Sequence, residues 1–321
     1  MNLTDWLNEQ CRLTDYQLSP LAGDASFRRY FRVKQDKISY VAMDASKEQA
    51  SCVPFVAIAN ALRAEGLQAP EIIASDLSKG FLLLTDFGDR LYLRELNAGN
   101  AKALYSQALD ALLILQRCRN VDGWSVPLFT ADFMYQELLR FQEWFLEKYL
   151  NLSLPETIQQ MLSNTFHFLA NTAANQTQVF MHRDFHSANL MVLPNHQTGI
   201  LDFQDAFIGP VTYDLVSLLR DCYISWPENL VNELVLSYWK NLALPNVAAE
   251  EFVRWFDLMG MQRHLKCLLT FSRKFCRDHD VNYLKYIPRT LQYVKTVGMR
   301  YPECRELTEF LTEVTKEQCV Q

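Results

Sequence analysis

A short polar segment in the second half of the chain carries residues that suit phosphoryl transfer. It reads HRDFHSANLMVLPNHQTGILDFQD and places Asn189 five residues after Asp184, and Asp202 thirteen residues after Asn189. Phosphoryl transfer needs a carboxylate that orients the attacking hydroxyl and a divalent cation that bridges the phosphate oxygens. We predict Asp184 as the catalytic carboxylate. We predict Asn189 and Asp202 as magnesium ligands, because their side-chain oxygens are the hard donors that magnesium prefers.

An ordinary polar surface loop is the alternative interpretation of this segment. Two features favour the catalytic interpretation. The order HRD, then Asn, then a second Asp is that of the catalytic and metal-binding loops of phosphoryl-transfer enzymes. In addition, Asp202 falls in an apolar run, Ile200 to Phe203, which predicts a strand paired with Leu190 to Leu193. An Asn on a tight loop and an Asp on a hairpin would approach one cation from two sides.

The composition restricts the class of protein. The chain has 321 residues, of which 49% are hydrophobic and 21% are charged, so it is long enough for two lobes with their own cores. The net charge of −6 is spread without acidic or basic blocks, which gives no electrostatic surface for nucleic acid or an anionic membrane. The eight cysteines form no CxxC pair, and we expect most of them to be reduced core residues.

Targeting and membrane signals are missing from the sequence. No run of about 18 apolar residues occurs, and the start MNLTDWLNEQ lacks a basic region followed by an apolar stretch. We therefore expect a soluble, cytoplasmic protein. We expect no nucleic-acid partner, no membrane partner and no obligate protein partner.

Hydrophobic periodicity divides the chain into a strand-rich part and a helical part. The first part has a helix near residues 1 to 12, strand-like runs at 15 to 21, 26 to 34, 38 to 44 and 81 to 84, and one long helix from 50 to Gly66. The second part has helical runs at 100 to 118, 131 to 150, 155 to 173, 212 to 223, 228 to 242 and 249 to 278. We predict an α+β protein whose lobes are residues 1 to 88 and 89 to 321.

Five stretches of the sequence resemble the aminoglycoside phosphotransferase and choline kinase-like superfamily. They are GDASFRRYFRV, FLLLTDFGD, HRDFHSANLMV, LDFQDAFIGPVTYDLVSLLRDCY and QRHLK, and they are most similar to the bacterial anomeric amino-sugar kinases of peptidoglycan recycling. The resemblance implies a two-lobed protein-kinase-like fold, with an antiparallel sheet and one long helix in the N-lobe and a mainly helical C-lobe. It also implies ATP and Mg²⁺ as cofactors, and phosphorylation of the anomeric hydroxyl of N-acetylmuramate or N-acetylglucosamine.

The resemblance also implies roles for further residues. Asp86 and Phe87 would form the hinge whose backbone meets adenine, and the loop from Gly23 to Phe27, including Ser26, would cover the phosphates. Four residues would support the catalytic loop, in which Asp184 would be the base: His182, Arg183, His186 and Asp214. Asp214 could instead be an acid in the first turn of a helix, where it would stabilise the helix dipole.

The sequence departs from the resemblance at the phosphate-binding lysine. Such kinases carry this Lys on the strand that here reads YVAMDAS, where the chain offers Met43 and Asp44, with Lys47 only beyond the strand. The helix that would supply its Glu partner reads VPFVAIANAL at its centre, without an acid. Losing both is consistent, because a Glu left alone would face the phosphates unpaired. We hypothesise that Arg28 or Arg32 supplies the missing positive charge.

Candidate acceptor-binding residues follow the metal motif and recur on the last long helical run. Gln204 and Asp205 come directly after Asp202 and are candidates for binding sugar hydroxyls. A basic stripe in residues 249 to 278 consists of Arg263, Lys266, Thr270, Arg273 and Arg277. The stripe is either a solvated surface or part of the cleft, where Arg263 and His264 would bind an anionic acceptor such as the lactyl carboxylate of N-acetylmuramate. A polycationic aminoglycoside would instead need acidic residues there.

More than one function is compatible with these patterns. An amino-sugar kinase is the first hypothesis, and an aminoglycoside, choline or homoserine kinase is the alternative within the same class. The missing strand Lys also suggests a weakly active nucleotide-binding regulator. The intact set of Asp184, Asn189 and Asp202 favours an enzyme, because a decayed site has no reason to keep all three side chains.

Overall fold

The first part of the chain is built on an antiparallel sheet. The computed structural model of the protein describes residues 2–21, 27–194 and 197–316. The sheet consists of β1 (Gln17–Leu21), β2 (Arg29–Gln35), β3 (Ile38–Asp44), β4 (Ile72–Asp76) and β5 (Phe81–Thr85). Their spatial order is β1-β2-β3-β5-β4, with every neighbouring pair antiparallel. The β-branched and aromatic residues of these segments suit extended backbone.

Two helices cover opposite faces of this sheet. Helix α1 (Leu3–Glu9) is capped by the Asn2 side chain and places Trp6 in an apolar cluster with Ala42 of β3. Helix α2 (Cys52–Ala64) places Ile58 in a separate cluster with Met43, the next residue of β3. Successive strand residues point to opposite faces, so Met43 faces α2 and Ala42 faces α1. Helix α2 ends before Gly66, whose φ of +83° suits glycine.

The second part of the chain is mainly helical. Its helices are α3 (Tyr92–Glu95), α4 (Ala101–Leu115), α5 (Ala131–Phe141), α6 (Glu156–Ala174), α7 (Tyr213–Leu219), α8 (Glu228–Leu242), α9 (Ala249–Asp278), α10 (Ile287–Gly298) and α11 (Pro302–Val314). A π-helical stretch, Gln142–Tyr149, continues α5, and a 3₁₀ turn, Val281–Tyr286, precedes α10. The long α9 contacts α5, α6, α7 and α10. It is therefore the central helix of this part.

Two short strand pairs interrupt the helices. Strand β6 (Gln178–Met181) pairs antiparallel with β9 (Phe207–Pro210), and β7 (Leu190–Val192) pairs antiparallel with β8 (Thr198–Ile200). The loop between β6 and β7 contains the HRD sequence, and the loop between β8 and β9 contains Asp202. Both polar loops thus emerge from short pairs of buried strands.

The α+β class, the antiparallel sheet with one long helix and the helical second part are confirmed. The predicted strand Ile200 to Phe203 is wrong beyond its first residue, because β8 ends at Ile200 and Asp202 adopts φ of +61°. The helix expected at 212 to 223 ends at Leu219. One apolar cluster joins Met43 to residues as distant as Met259, so the boundary between residues 88 and 89 stays a prediction.

Two further expectations concern membranes and cysteines. None of the helices in the described segments is long and apolar enough to cross a bilayer. The cysteines of those segments have free thiols, and most of them are buried. Cys319 lies outside the described residues.

Candidate active site

The loop after β6 is held by one buried carboxylate. Asp214, at the start of α7, accepts hydrogen bonds from the backbone N–H groups of His182 at 2.6 Å and of Arg183 at 2.9 Å. Arg183 has φ of +79°, a conformation that is costly for a non-glycine residue unless its surroundings hold it. Its guanidinium is fixed by Glu137 at 2.9 Å. These contacts are those expected of a residue that braces the loop.

His182 connects this loop to the segment that carries Asp202. The ring is buried, its Nε2 lies 2.9 Å from the Leu201 carbonyl oxygen, and its Nδ1 accepts a hydrogen bond from the Asp184 backbone N–H at 3.3 Å. These partners require a neutral ring with its proton on Nε2. Burial agrees with this state, since it lowers the pKa of His182 to about 4.

The predicted catalytic carboxylate and the two predicted metal ligands lie together. The side-chain amide nitrogen of Asn189 donates to the Asp184 carbonyl oxygen at 3.1 Å and lies 3.5 Å from Oδ2 of Asp202. Because the nitrogen is held by that carbonyl, the amide oxygen is the atom left for a cation. The backbone carbonyl of Asn189 also accepts from the Leu201 N–H at 3.0 Å. The two loops are therefore locked together around these three side chains.

The electrostatics of this cluster suit a divalent cation. Burial raises the pKa of Asp202, the hydrogen bond from Gln204 opposes the rise, and the negative charge of Asp184 adds to it. A cation between the two carboxylates would relieve this repulsion. The described part of the chain contains no group of three or more His, Cys, Asp and Glu side chains that could hold a metal. One carboxylate and one amide fit magnesium that takes its other ligands from phosphates and water.

Lys266 of α9 was not predicted as a site residue, yet it lies beside Asp184. Its Nζ is 3.5 Å from Oδ1 of Asp184, and only 16% of its side chain is exposed. Burial alone would raise the pKa of Asp184, but Lys266 and other nearby positive charges bring it well below its ordinary value. Asp184 is therefore ionised near neutral pH. The sequence feature that could have identified Lys266 was its place in the basic stripe.

The predicted phosphate loop is described only in part. Gly23 and Ser26 lie outside the described residues, and Phe27 is exposed. Arg28 has only 9% of its side chain exposed, and its Nη2 lies 3.9 Å from Asp205. Its charge also acts on Asp202, whose pKa it lowers against the effect of burial. The structure thus brings Arg28 to the same cleft as the predicted metal ligands.

Arg32 is held at the predicted hinge instead. Its guanidinium donates to Asp86 at 2.7 and 3.1 Å, to Asp89 at 2.8 Å and to the Gly88 carbonyl at 3.0 Å. This fork of charge-assisted bonds uses the donors that a phosphate would need. The hypothesis that Arg32 replaces the strand Lys is therefore not supported, whereas Arg28 keeps that place. The carboxylate of Asp86 also accepts from the Gly88 N–H at 2.8 Å.

The strand that carries the phosphate-binding Lys in related kinases is β3 here, where Met43 and Asp44 point to opposite faces of the sheet. On β2 and β3, Tyr30 pairs with Met43 and Arg29 with Asp44, and the alternation of strand side chains separates these pairs onto opposite faces. Asp44 is buried and bonded to Arg29. Met43 therefore packs on the α2 side of the sheet, in one apolar cluster with Ile58, and Asp44 points to the opposite side.

An aromatic contact connects α2 to the metal motif. The rings of Phe55 of α2 and Phe203, which follows Asp202, have centroids 4.9 Å apart. Phe87 of the predicted hinge packs against β8, where a Cβ added to Gly199 would lie only 2.9 Å from Cδ2 of the Phe87 ring. Apolar contacts, instead of a Lys–Glu ion pair, therefore set the position of α2 relative to the cleft.

A small pocket of about 70 Å³ opens beside Asp184. Its other lining residues come from the loops after β6 and α7 and from α9: His186, Cys222, Tyr223, Arg263, Lys266, Cys267, Thr270 and Phe271. Arg263 is 2% exposed, and its Nε has no hydrogen-bond partner among the described residues. The solvated-surface interpretation of the basic stripe is therefore wrong for Arg263 and Lys266, although Arg277 is exposed.

The predicted role of His264 in the acceptor site is contradicted. Its Nε2 lies 2.9 Å from the Arg220 carbonyl oxygen, and its ring stacks on Tyr293 with centroids 4.7 Å apart. Helical residues are about 100° apart around the axis, so a residue two positions before Lys266 points away from the pocket. Lys266, and not His264, lines the pocket together with Arg263.

Gln204 and Asp205, the other predicted acceptor residues, lie at the metal motif. The Gln204 amide nitrogen donates to Asp202 at 2.9 Å and to Asp205 at 3.1 Å. Its oxygen is buried without a hydrogen-bond partner among the described residues. Contact with sugar hydroxyls stays a prediction for both residues.

His186, predicted as loop support, donates its backbone N–H to the Asp184 carbonyl at 3.0 Å.

Buried histidines predict a loss of stability in acid. Burial lowers the pKa of His264 to about 3, so the unfolded chain takes up the proton first as pH falls below about 6.5. Its contribution is therefore complete above that pH and falls by about 2 kcal/mol at pH 5. We expect His264→Gln to reduce the difference in the free energy of unfolding between pH 7.5 and pH 5 by about this amount, as measured by urea unfolding.

The matched control is His279→Gln, at an exposed helix end, which should leave that difference unchanged. An equal pH dependence in wild type and His264→Gln would show that this ring is not held neutral by the fold.

Comparison with families and known sequences shows which family the chain belongs to. Residues 17–256 match the model of a phosphotransferase enzyme family. The N-acetylmuramate/N-acetylglucosamine kinase of Pseudomonas aeruginosa is 41% identical over 302 residues, which cover 93% of this chain and 88% of that protein. The protein of the same name from Neisseria meningitidis serogroup B is 37% identical over 328 residues, covering 99% of this chain and 96% of that protein.

Solved structures share the fold at low sequence identity. The ADP-bound aminoglycoside phosphotransferase APH(2'')-Ib superposes with a TM-score of 0.64 at 18% identity, covering 91% of this chain and 96% of that chain. A choline/ethanolamine kinase family protein from Mesorhizobium loti gives a TM-score of 0.65 at 17% identity, covering 97% and 100%. At these identities the likeness shows the two-lobed kinase-like fold. By its family match and its named relatives, the chain belongs to the phosphotransferase enzyme family, as a small-molecule kinase.

Proposed function

We propose that this kinase uses ATP and Mg²⁺ to phosphorylate the anomeric hydroxyl of N-acetylmuramate and N-acetylglucosamine, a reaction of cell-wall recycling. The observation that carries the proposal is the convergence of Asp184, Asn189 and Asp202 around one cleft. The names of relatives that are 37–41% identical over nearly the whole chain support the amino-sugar acceptor.

The geometry of the central residues supports the following roles. Magnesium, when bound, would bridge phosphate oxygens and neutralise their charge, and Asn189 and Asp202 would hold it. Asp184 would accept the hydrogen bond of the attacking hydroxyl. With its pKa held low, this carboxylate is a weak base. Its contribution is therefore to orient the hydroxyl and to take the proton late, which suits a loose transition state.

The nucleotide would lie between the two proposed lobes, residues 1–88 and 89–321. The hinge at Asp86 and Phe87 would meet the base, and the segment from Gly23 through Ser26 to Phe27 would cover the phosphates. Arg28 would supply the charge that the strand Lys supplies in related kinases. Its side chain suits this role because it is largely buried and close to the Asp202 and Asp205 carboxylates.

The charge of the pocket beside Asp184 distinguishes among acceptors. Arg263 and Lys266 line it, and the nearest carboxylate is Asp184 itself. A polycationic aminoglycoside would meet repulsion there, whereas the carboxylate of N-acetylmuramate would find a buried arginine. A weakly active regulator would have no need of a fully braced catalytic loop. The alternatives of aminoglycoside, choline and homoserine kinase therefore rank below the amino-sugar kinase.

A panel assay tests the acceptor. The protein is incubated with ATP, Mg²⁺ and one of N-acetylmuramate, N-acetylglucosamine, an aminoglycoside, choline or homoserine, and ADP release is measured. We expect turnover with the two amino sugars, and Asp184→Asn should lower kcat by at least about 10²-fold, because the hydroxyl loses its oriented acceptor.

The control for this variant is Asp278→Asn, since Asp278 also pairs with a lysine of α9, at 3.7 Å, and has a similar exposed fraction. It should keep wild-type kcat. Turnover with aminoglycosides or choline alone would refute the amino-sugar proposal, and silence with every acceptor while ATP still binds would favour a regulator.

Neighbouring arginines test the proposed replacement of the strand Lys. Arg28→Ala should lower kcat/KM for ATP by about 10²-fold, because a phosphate-stabilising charge is removed. Arg29→Ala removes the same side chain from the opposite face of β2, where Arg29 bonds Asp44. It should leave kcat/KM for ATP within about twofold. Steady-state kinetics with varied ATP make the comparison, and equal effects of the two changes would contradict the assignment.

A further inference from the structure

We infer that Lys266 is a positioning residue that fixes the Asp184 carboxylate for the acceptor hydroxyl. Lys266 lies in α9 (Ala249–Asp278), beyond residues 17–256 that match the family model. The inference rests on the proposed function only in taking Asp184 as the carboxylate that meets the acceptor. The cation beside Asp184 thus comes from the QRHLK stretch of α9, which lies C-terminal to the residues that the family model matches.

The backbone of Asp184 is held firmly, but its carboxylate is not. The backbone N–H donates to His182 at 3.3 Å, and the carbonyl accepts from the His186 N–H at 3.0 Å and the Asn189 amide at 3.1 Å. Among residues 2–21, 27–194 and 197–316, Lys266 alone places a cationic nitrogen within 4.0 Å of the side-chain oxygens. The orientation of the carboxylate therefore depends on this one contact.

The surroundings separate this pair from an ordinary surface ion pair. The side chains of Lys266 and Asp184 are 16% and 32% exposed, and both line the same pocket. An exposed pair is screened by water and fixes little, whereas a largely buried pair is costly to break and holds its geometry. Burial opposes the charge of Lys266, but the Asp184 carboxylate keeps the pKa of the ammonium above its ordinary value. Lys266 is thus charged at neutral pH.

The contact has a direct consequence for the reaction. Lys266 engages Oδ1 of Asp184, which leaves Oδ2 to accept the hydrogen bond of the attacking hydroxyl. A carboxylate that rotates freely would spend only part of its time in that orientation, and Asp202 would repel it. Fixing the geometry of a reacting group lowers the barrier without changing ground-state affinity. Loss of Lys266 should therefore lower kcat and leave KM for either sugar nearly unchanged.

A different role for Lys266 gives a different kinetic pattern. If its ammonium bound the acceptor carboxylate directly, its loss would raise KM for N-acetylmuramate and leave N-acetylglucosamine unaffected, because only the first sugar is anionic. If the ion pair only stabilised the fold, any cation or none would serve as long as the protein remained folded. The two amino sugars and a conservative variant therefore separate the three roles.

The experiment uses the full chain with the changes Lys266→Met, Lys266→Arg and Lys266→Ala. We expect Lys266→Met to lower kcat about 10²-fold with both sugars, with each KM within about threefold of wild type. Lys266→Arg should regain at least a tenth of wild-type kcat. Added ethylammonium should raise kcat of Lys266→Ala at least about fivefold. The matched control is Lys274→Met, which breaks the pair of Lys274 with Asp278 in the same helix and should leave both constants unchanged.

Several outcomes would overturn the inference. They are an unchanged kcat in Lys266→Met, a rise of KM restricted to N-acetylmuramate, and a kcat loss in Lys266→Met that neither Lys266→Arg nor the added amine reverses. A wild-type protein inactive on both sugars would instead refute the proposed function, and the variants would then be compared on the acceptor that it does phosphorylate.

The pair of Lys266 and Asp184 also has a readout that does not need turnover. The Tm changes of Asp184→Asn and Lys266→Met should be non-additive in the double variant. Additive Tm changes would overturn the inference as well.

Discussion

The buried carboxylate of Asp214 is the contact on which the rest of the site depends. It accepts two backbone hydrogen bonds from the loop that carries Asp184, and this loop in turn holds Asn189 and His182. Burial raises the pKa of Asp214 to about 7, against the effect of those two N–H groups. Burying a carboxylate costs desolvation free energy. Here the two hydrogen bonds that order the loop offset part of that cost. Its position in the first turn of α7 also suits the helix dipole, so the two interpretations of Asp214 are compatible.

The site is also organised by a balance of charge. Asp184 lies close enough to Asp202 for its negative charge to raise the pKa of the Asp202 carboxyl, and each of the two residues has a cation from a different part of the chain nearby. Arg28 approaches from the sheet and Lys266 from α9. Arg28 opposes the effect of burial on the pKa of Asp202, and Lys266 holds the pKa of Asp184 below its ordinary value. Apolar contacts of Phe55 with Phe203 keep α2 in place without the ion pair that its position would otherwise need.

Local patterns in the sequence predicted much of this structure, whereas contacts between distant segments were not predictable. The helices α8 and α9 and the strand β3 begin and end as their periodicity indicates. Spacing within one loop and one hairpin was enough to bring Asn189 and Asp202 together. His264 and Lys266 lie on one helix, and periodicity alone does not show which side of that helix faces the cleft. The partners of Arg32, Asp86 and Asp89, lie beyond β5. Whether Arg32 binds phosphate or the hinge therefore depends on tertiary structure, which the local sequence does not show.

The central claim is that Asn189 and Asp202 hold one divalent cation beside Asp184. A crystal structure with Mn²⁺ and a non-hydrolysable ATP analogue, with anomalous scattering used to locate the ion, tests it most directly. We expect an ion at coordinating distance, about 2.1 Å, from the Asn189 amide oxygen and an Asp202 carboxylate oxygen. An ion bound to the nucleotide but touching neither side chain would contradict the account.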